Sequence, residues 1–254
     1  MLTSVPEITD LITYGALFVC NHSGGKDSQA MLIKLREIVP DDQLLVIHAH
    51  LPEVEWEGTI DHIRATIGDL PFIECQSVKT FFEMVERRGM FPSPQQRQCT
   101  SDLKRGPIER EVRRYLKANP RFNGQIVNCM GLRAEESANR AKASTFKFNA
   151  RNSKAGREWY DWLPIHDMTK DEVFASIASA GQSPHWAYAA GMTRLSCCFC
   201  IMSSQADLCT AARLKPELAA RYIMMERRIG HTMNMAVPLI DVLKMAASSQ
   251  KEVA

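Results

Sequence analysis

The chain has 254 residues, of which 45% are apolar and 24% charged, with a formal net charge of only +2. That is enough for one large α/β domain around a packed core. No run of about 18 apolar residues exists, which excludes a membrane-spanning helix, and MLTSVPEITD lacks the basic and apolar regions of a secretory signal, so a cytoplasmic location is expected.

A short helix and a turn are expected over residues 1–16. Leu17–Cys20 is an apolar, strand-like run, and Ala30–Arg36 reads as an amphipathic helix. Between them lies Asn21-His22-Ser23-Gly24-Gly25-Lys26-Asp27-Ser28. Strand, glycine turn and helix together build an anion site: the glycines let backbone approach a phosphate, and the helix N-terminus offers unpaired N–H groups. The G-x-x-x-x-G-K-[ST] spacing of a Walker loop is absent. Leu44–His50 is almost continuously apolar, as in a parallel strand buried on both faces. Thr59–Ile67 reads as a helix, Pro71–Cys75 as a third strand and Lys79–Arg88 as a helix.

A Pro- and Gln-containing loop, residues 89–98, leads to Cys99. A helix follows from about Pro107, with proline in the tolerated first turn. Gln125–Met130 is a fourth strand, and Gly131-Leu132-Arg133-Ala134-Glu135-Glu136-Ser137-Ala138-Asn139-Arg140 follows it. Residues 141–157 have no period and read as a mobile loop, and Glu158–Pro164 suggests a short strand. Thr169 caps a helix to Ala180, with Glu172 at the capping-box position. Two further helices are expected after Ser203, the second opening at Pro216, and the tail from about Ala246 is expected to fray. Strands alternating with helices give an α/β fold with a mainly parallel sheet. No linker divides it, so residues 1–205 read as the nucleotide-binding part and 206–254 as its helical extension.

Two compositional features remain. From Arg87 to Arg157 there are 17 Lys and Arg against 5 Asp and Glu, which implies either an anionic partner for the middle third or a set of solvated basic helices. Eight cysteines in an intracellular chain argue against a disulfide framework. Cys20, Cys75 and Cys129 lie in apolar runs and read as small buried hydrophobes. Cys99, Cys197, Cys198, Cys200 and Cys209 lie in polar or turn contexts.

Five stretches are similar, in order and spacing, to one family: Ser23–Ser28, Cys99–Pro107, Gly131–Arg140, Pro164–Thr169 and Tyr188–Cys200. Ser23–Ser28 resembles the S-G-G-x-D-S loop of PP-loop enzymes, and the set resembles the phosphoadenosine phosphosulfate (PAPS) reductase family over roughly residues 17–205. That family includes sulfate-assimilation reductases, the DndC- and SspD-type ATP pyrophosphatases of DNA phosphorothioation, and many phage and plasmid proteins. The resemblance implies a Rossmann-like sheet, similar to the adenine nucleotide α-hydrolases, with nucleotide at the C-terminal edge of its strands, in keeping with the crevice rule for open sheets. One departure stands out. Adenylyl-sulfate reductases of the family carry a catalytic cysteine near the C-terminus, whereas the last cysteine here is Cys209.

The site residues follow from both lines. The backbone of Gly24 and Gly25, with Ser23 and Ser28, suits phosphate. Lys26 supplies charge, and Asp27 either holds Mg²⁺ or caps the helix. Gly131, Arg133 and Arg140 lie past the fourth strand. The arginines contact phosphate or an adenylated intermediate, with Glu136 binding metal or orienting Arg140, or else Glu136 and Arg140 form a helix-surface pair. Glu55 and Trp56 are further edge candidates. Cys197-x-x-Cys200 is a chelating pair, Cys99 is placed beside it by the resemblance, and Cys209 is a candidate fourth thiolate; Cys198 is either packed or spare. Four thiolates suit zinc or a [4Fe–4S] cluster, and the family context favours the cluster. Arg97 and Arg194 flank the cysteines.

Three readings result. The first is an ATP-dependent adenylating enzyme of sulfur incorporation, acting on nucleic acid or within a nucleic-acid-modifying complex, with a sulfur donor such as a cysteine desulfurase. The second is a PAPS or adenylyl-sulfate reductase. The third is a non-catalytic nucleotide-binding module with structural zinc.

Overall fold

The computed structural model describes residues 7–233 and 237–251. In chain order the elements are α1 (Ile8–Thr13), β1 (Leu17–Asn21), α2 (Lys26–Arg36), β2 (Leu44–Ala49), α3 (Thr59–Ile67), β3 (Phe72–Cys75), α4 (Phe81–Arg88), α5 (Gln98–Thr100), α6 (Gly106–Ala118), β4 (Gln125–Cys129), α7 (Ala138–Ala141), β5 (Phe146–Phe148), β6 (Glu158–Trp162), α8 (Lys170–Ser179), α9 (Trp186–Ala189), α10 (Gln205–Leu214), α11 (Pro216–Ile229) and α12 (Leu239–Lys251). Among the described residues, no helix is long and apolar enough to cross a membrane.

These elements fall into two compact units interleaved along the chain. The first takes in the chain through His48, then Ile60–Cys75 and Ile108–Pro184; the second takes in Ala49–Thr59, Gln76–Pro107 and the chain from His185 onward. The division expected at residue 205 lies inside the second unit.

The first unit carries a six-stranded sheet of order β3-β2-β1-β4-β6-β5. β1 pairs in parallel with β2 and β4, and β4 in parallel with β6. β5 is antiparallel to β6. This is a mainly parallel, Rossmann-like sheet flanked by helices. The interior of β1 and all of β2 are buried, which is why these strands read as unbroken apolar runs. α2 packs with α8. The core here is built from Phe18, Cys20, Met31, Leu35, Val46, Ile63, Val127 and Tyr160 among others.

The second unit is helical and has its own core of Val54, Trp56, Phe81, Phe91, Leu103, Phe199, Leu208, Tyr222 and Leu239 among others. Tyr222 is its hub, stacked on Phe91 at 5.9 Å and edge-on to Phe82 at 5.0 Å. Such pairs add about 0.5–1.5 kcal/mol each beyond area burial.

Three expectations are corrected. Residues 141–157 are not wholly loop: Phe146–Phe148 is β5, paired with β6 and packed on Tyr160 by both phenylalanines. Among the described residues three helices follow Ser203, because α12 follows α10 and α11. α12 also runs to Lys251 rather than fraying from Ala246, since Leu239, Val242 and Ala246 are buried.

Candidate functional site

In the first unit, the turn after β1 begins with His22, which is 2% exposed. Its Nδ1 accepts the Gly24 N–H at 3.1 Å, which requires a neutral ring. Burial first, then the neighbouring His48 and His62, pull the His22 pKa down to about 3. Gly24 has φ +76°, a left-handed conformation that glycine adopts without penalty. Gly25 is the N-cap of α2. The two serines close the turn: Ser28 Oγ accepts from Ser23 N at 3.1 Å and donates to Gly25 O at 2.8 Å.

Lys26 and Asp27 open α2. The Lys26 Nζ–Asp27 Oδ2 distance is 2.7 Å, and Arg133 Nε donates to Asp27 Oδ1 at 2.6 Å. The carboxylate expected to hold Mg²⁺ therefore bridges two cations whose side chains are each 5% exposed. Arg133 also pairs with Glu135 and donates to Met168 O at 3.3 Å, while its own N–H reaches Glu136 Oε2 at 2.9 Å. Glu136 in turn pairs with Arg140, and His166 Nε2 lies 2.9 Å from the Arg140 carbonyl. The structure thus brings Lys26, Asp27, Arg133, Glu136 and Arg140 into one charged network at the C-terminal edge of β1 and β4.

Gly131 serves that network by being small. A Cβ there would lie 3.0 Å from the Asp27 carbonyl and 3.2 Å from Ser28 N, so the chain leaving β4 presses against the first turn of α2. Sequence reasoning missed a polar chain under this edge. Asn21 Nδ2 donates to Asn128 Oδ1 at 2.7 Å and to the Cys129 carbonyl at 2.8 Å. Asn128 Nδ2 then donates to Asp161 Oδ1 at 2.9 Å, and Asn149 Nδ2 to Asp161 Oδ2 at 2.9 Å. Asn and Asp within otherwise apolar strands were the available signal.

The second unit holds the thiols. Cys99 sits on α5, next to a widened π-type turn over Ser101–Arg105, and Cys197 and Cys200 lie in the loop between α9 and α10. Cys197 and Cys200 are each electrostatically coupled to Lys104 and Cys99, and Glu55 acts on Lys104 and Cys197. Burial pushes the Cys197 thiol up to about 11 against the opposing pull of Lys104. The negative field of Cys197 in turn raises the Lys104 pKa despite burial. Met202 N donates to Cys200 Sγ at 3.5 Å. Among the described residues, no three cysteine sulfurs lie mutually within 4.8 Å.

Cys198 is fully buried, its N–H donating to the Val54 carbonyl at 2.8 Å. Cys209 directs its Sγ to the Val242 carbonyl of α12 at 3.9 Å. Sequence reasoning also missed Asp207, which is 1% exposed and ties both ends of the thiol loop. It accepts from Thr193 N and Thr193 Oγ at 2.7 Å each, and from Ser204 Oγ at 3.0 Å.

A family model described as the phosphoadenosine phosphosulfate reductase domain matches residues 18–203. An uncharacterized 37.8 kDa protein of Escherichia phage 186 is 28% identical over 149 residues, which is 59% of this chain and 43% of that protein; the match takes in less than half of that relative. Among solved structures, PAPS reductase from Candida auris in a phosphate complex aligns with a TM-score of 0.46 and 12% identity, over 74% of this chain and 87% of that one. Candida glabrata FMN adenylyltransferase with FMN and an ATP analogue aligns with a TM-score of 0.44 and 13% identity, over 72% of this chain and 54% of that one.

Proposed function

Since the chain belongs to the phosphoadenosine phosphosulfate reductase domain family, we propose that it is an adenine-nucleotide enzyme that cleaves ATP to AMP and pyrophosphate, adenylating an acceptor for sulfur incorporation. The observation that carries this reading is the pair of buried cations, Lys26 and Arg133, held by Asp27 at the N-terminus of α2. Adenylation forms a bond from an acceptor oxygen to the α-phosphorus and breaks the α–β bridge, so negative charge grows on the departing pyrophosphate. Fixed cations and helix N–H groups stabilise that charge without reorganisation at the moment of reaction. Asp27 positions the two cations, Glu136 positions Arg140, and Mg²⁺ accompanies the nucleotide.

The thiol loop supports a resident metal group. Thiols held protonated by burial make poor free nucleophiles, whereas coordination deprotonates them outright. Lys104 supplies a counter-charge, and Met202 N–H supplies a donor to sulfur. Soft thiolates suit a [4Fe–4S] group, and in this reading Cys99, Cys197 and Cys200 would be its ligands, with Cys209 outside the set. These three cysteines would hold the group, which would supply a site for sulfur provided by a donor such as a cysteine desulfurase. Nucleic acid is the acceptor class in this reading.

Incubation of anaerobically reconstituted protein with α-labelled ATP and Mg²⁺ tests the proposal. AMP and pyrophosphate are expected, with loss of both in Lys26→Met. Release of ADP, or of sulfite from PAPS with no AMP formed from ATP, refutes it.

A further inference from the structure

The first unit has a second charged site at the edge of the sheet opposite the glycine loop. A groove of about 640 Å³ is lined by Arg110, Arg113, Arg114 and Lys117 of α6, by Asn123 and Gly124 before β4, and by Ala155, Gly156 and Arg157 before β6. β1, β4 and β6 are parallel, so the glycine loop follows strand ends while this groove precedes strand starts. Five residues of strand at ~3.3 Å each put roughly 16 Å between the two edges.

The groove is built rather than incidental. Residues 110, 113, 114 and 117 are spaced i, i+3, i+4, i+7, which is one face of a helix, with a rise of about 10 Å from first to last. Arg110 and Arg114 share Glu111 at 2.8 Å each, and Arg113 lies 4.0 Å from Glu109. The groove therefore carries more cation than its neighbouring carboxylates neutralise. Arg157 Nε is shielded from solvent with no hydrogen-bond partner among the described residues. A buried donor without an acceptor is destabilising and marks a place where an acceptor belongs. The floor is strained as well: Ala155 has φ +53° and Asn123 φ +51°, and the left-handed region is unfavourable for Ala. A Cβ on Gly124 would lie 2.5 Å from the Gly156 carbonyl, so the two loops meet only because residue 124 has no side chain.

We propose that this groove binds the phosphate backbone of a nucleic acid. No aromatic ring lines it, so it lacks the platform on which bases stack. It follows phosphates and is indifferent to sequence. A small polyphosphate would be enclosed by a compact cradle of N–H groups, whereas a cationic stripe about 10 Å long matches a repeating charge. The proposal names a surface for the acceptor class suggested above, but it rests on charge and geometry at the far edge and holds whether or not ATP is cleaved. The groove would hold the nucleic acid away from the reacting atoms.

Fluorescence anisotropy with a labelled 20-base-pair DNA duplex, titrated between 50 and 200 mM salt, tests it, with poly-glutamate as competitor. Lys117 and Arg157 have no carboxylate partner among the described ion pairs, and Arg113 has only Glu109 at 4.0 Å. Three phosphate contacts predict a slope of log K on log salt of about −2 to −3. Arg113→Ala/Lys117→Ala, which leaves Arg157 in place, is expected to weaken binding tenfold or more and to reduce the slope by about two, with ATP affinity and melting temperature unchanged. The exposed single variant Lys117→Glu should weaken binding three- to tenfold. Wild-type affinity in both variants, a slope near zero, or competition by poly-glutamate as strong as by unlabelled duplex overturns the proposal. Failure of ATP cleavage with duplex binding intact overturns the proposed reaction and leaves the groove standing.

Discussion

Replacing Asp27 by Asn removes the one negative charge shared by Lys26 and Arg133. The two cations are each 5% exposed and Asp27 is 22% exposed, so solvent screens them weakly. The asparagine oxygen still accepts from Arg133 Nε, and Glu135 still holds the arginine from the other side, but Glu135 is 53% exposed and compensates little. A hydrogen bond to a charged group contributes about 1.5–3 kcal/mol, and breaking a fully buried ion pair costs about 3–5 kcal/mol. With one bond surviving as a neutral contact, Asp27→Asn should cost about 2–4 kcal/mol. At roughly 2–4 °C per kcal/mol for a chain of this size, the Tm falls by roughly 4–16 °C in calorimetry. ATP provides the decisive arm. Its phosphates return negative charge to Lys26 and Arg133, so saturating ATP should narrow the Tm gap between variant and wild type by mass action on the folded state, while AMP formation stays lost. A Tm within 1 °C of wild type, or a gap that ATP leaves unchanged, refutes the idea that Asp27 restrains two phosphate-binding cations and leaves only a helix cap.

Gly131→Ala should be severe for its size, because the new Cβ meets backbone of the first turn of α2 at 3.0 Å. Overpacking of this kind costs about 1–3 kcal/mol, and isothermal titration should show ATP affinity down tenfold or more with far-UV dichroism unchanged. His22 gives a pH dependence of known sign. Its pKa falls from 6.5 unfolded to about 3 folded, so its contribution is intact above about pH 6.5. Below that the unfolded chain gains a proton the folded chain refuses, and stability drops by about 1.4 kcal/mol per pH unit toward pH 3; His22→Asn should flatten urea-melt stability over that range. Asp207→Ala removes three donors' acceptor from a residue 1% exposed and should cost about 2–4 kcal/mol. Iron analysis should show metal content falling with it, while ATP binding to the first unit is retained.

What the sequence revealed was what local chemistry determines. Thr169 and Glu172 form the expected capping box, and α3 spans the expected Thr59–Ile67, because caps and periodicity act within a few residues. β5 was invisible because Phe146-Lys147-Phe148 has no pattern of its own; it is a strand through pairing with β6 and contact with Tyr160. α12 outran its expected end because small residues such as Ala246 are weak signals of burial even when a helix face packs on them. The two units escaped notice because the chain passes between them at the end of β2 and the start of α3, with no linker composition to mark the passage. The charged residues past β4 were readable as a group, but the role of Gly131 was not, since only the fold shows which backbone a missing Cβ makes room for.

The same device recurs in both units. Each loop that carries chemistry is short, polar and rich in residues with little packing of their own, and each is held by one buried polar residue outside the motif. His22 fixes Gly24 by accepting its N–H, and it can do so only as a neutral ring, which its burial ensures. Asp207 fixes residues 193 and 204 on either side of the thiols by accepting from both, and a charged acceptor bonds donors about twice as strongly as a neutral one. The opposite ionisation states follow from the partners. The glycine loop presents a single amide donor to His22, and under the proposed function its positive charges serve phosphate, so a neutral acceptor suits it. The thiol loop has two chain segments to hold, and one carboxylate with three donors ties both. Loss of either residue should therefore act on ligand retention before it acts on secondary structure.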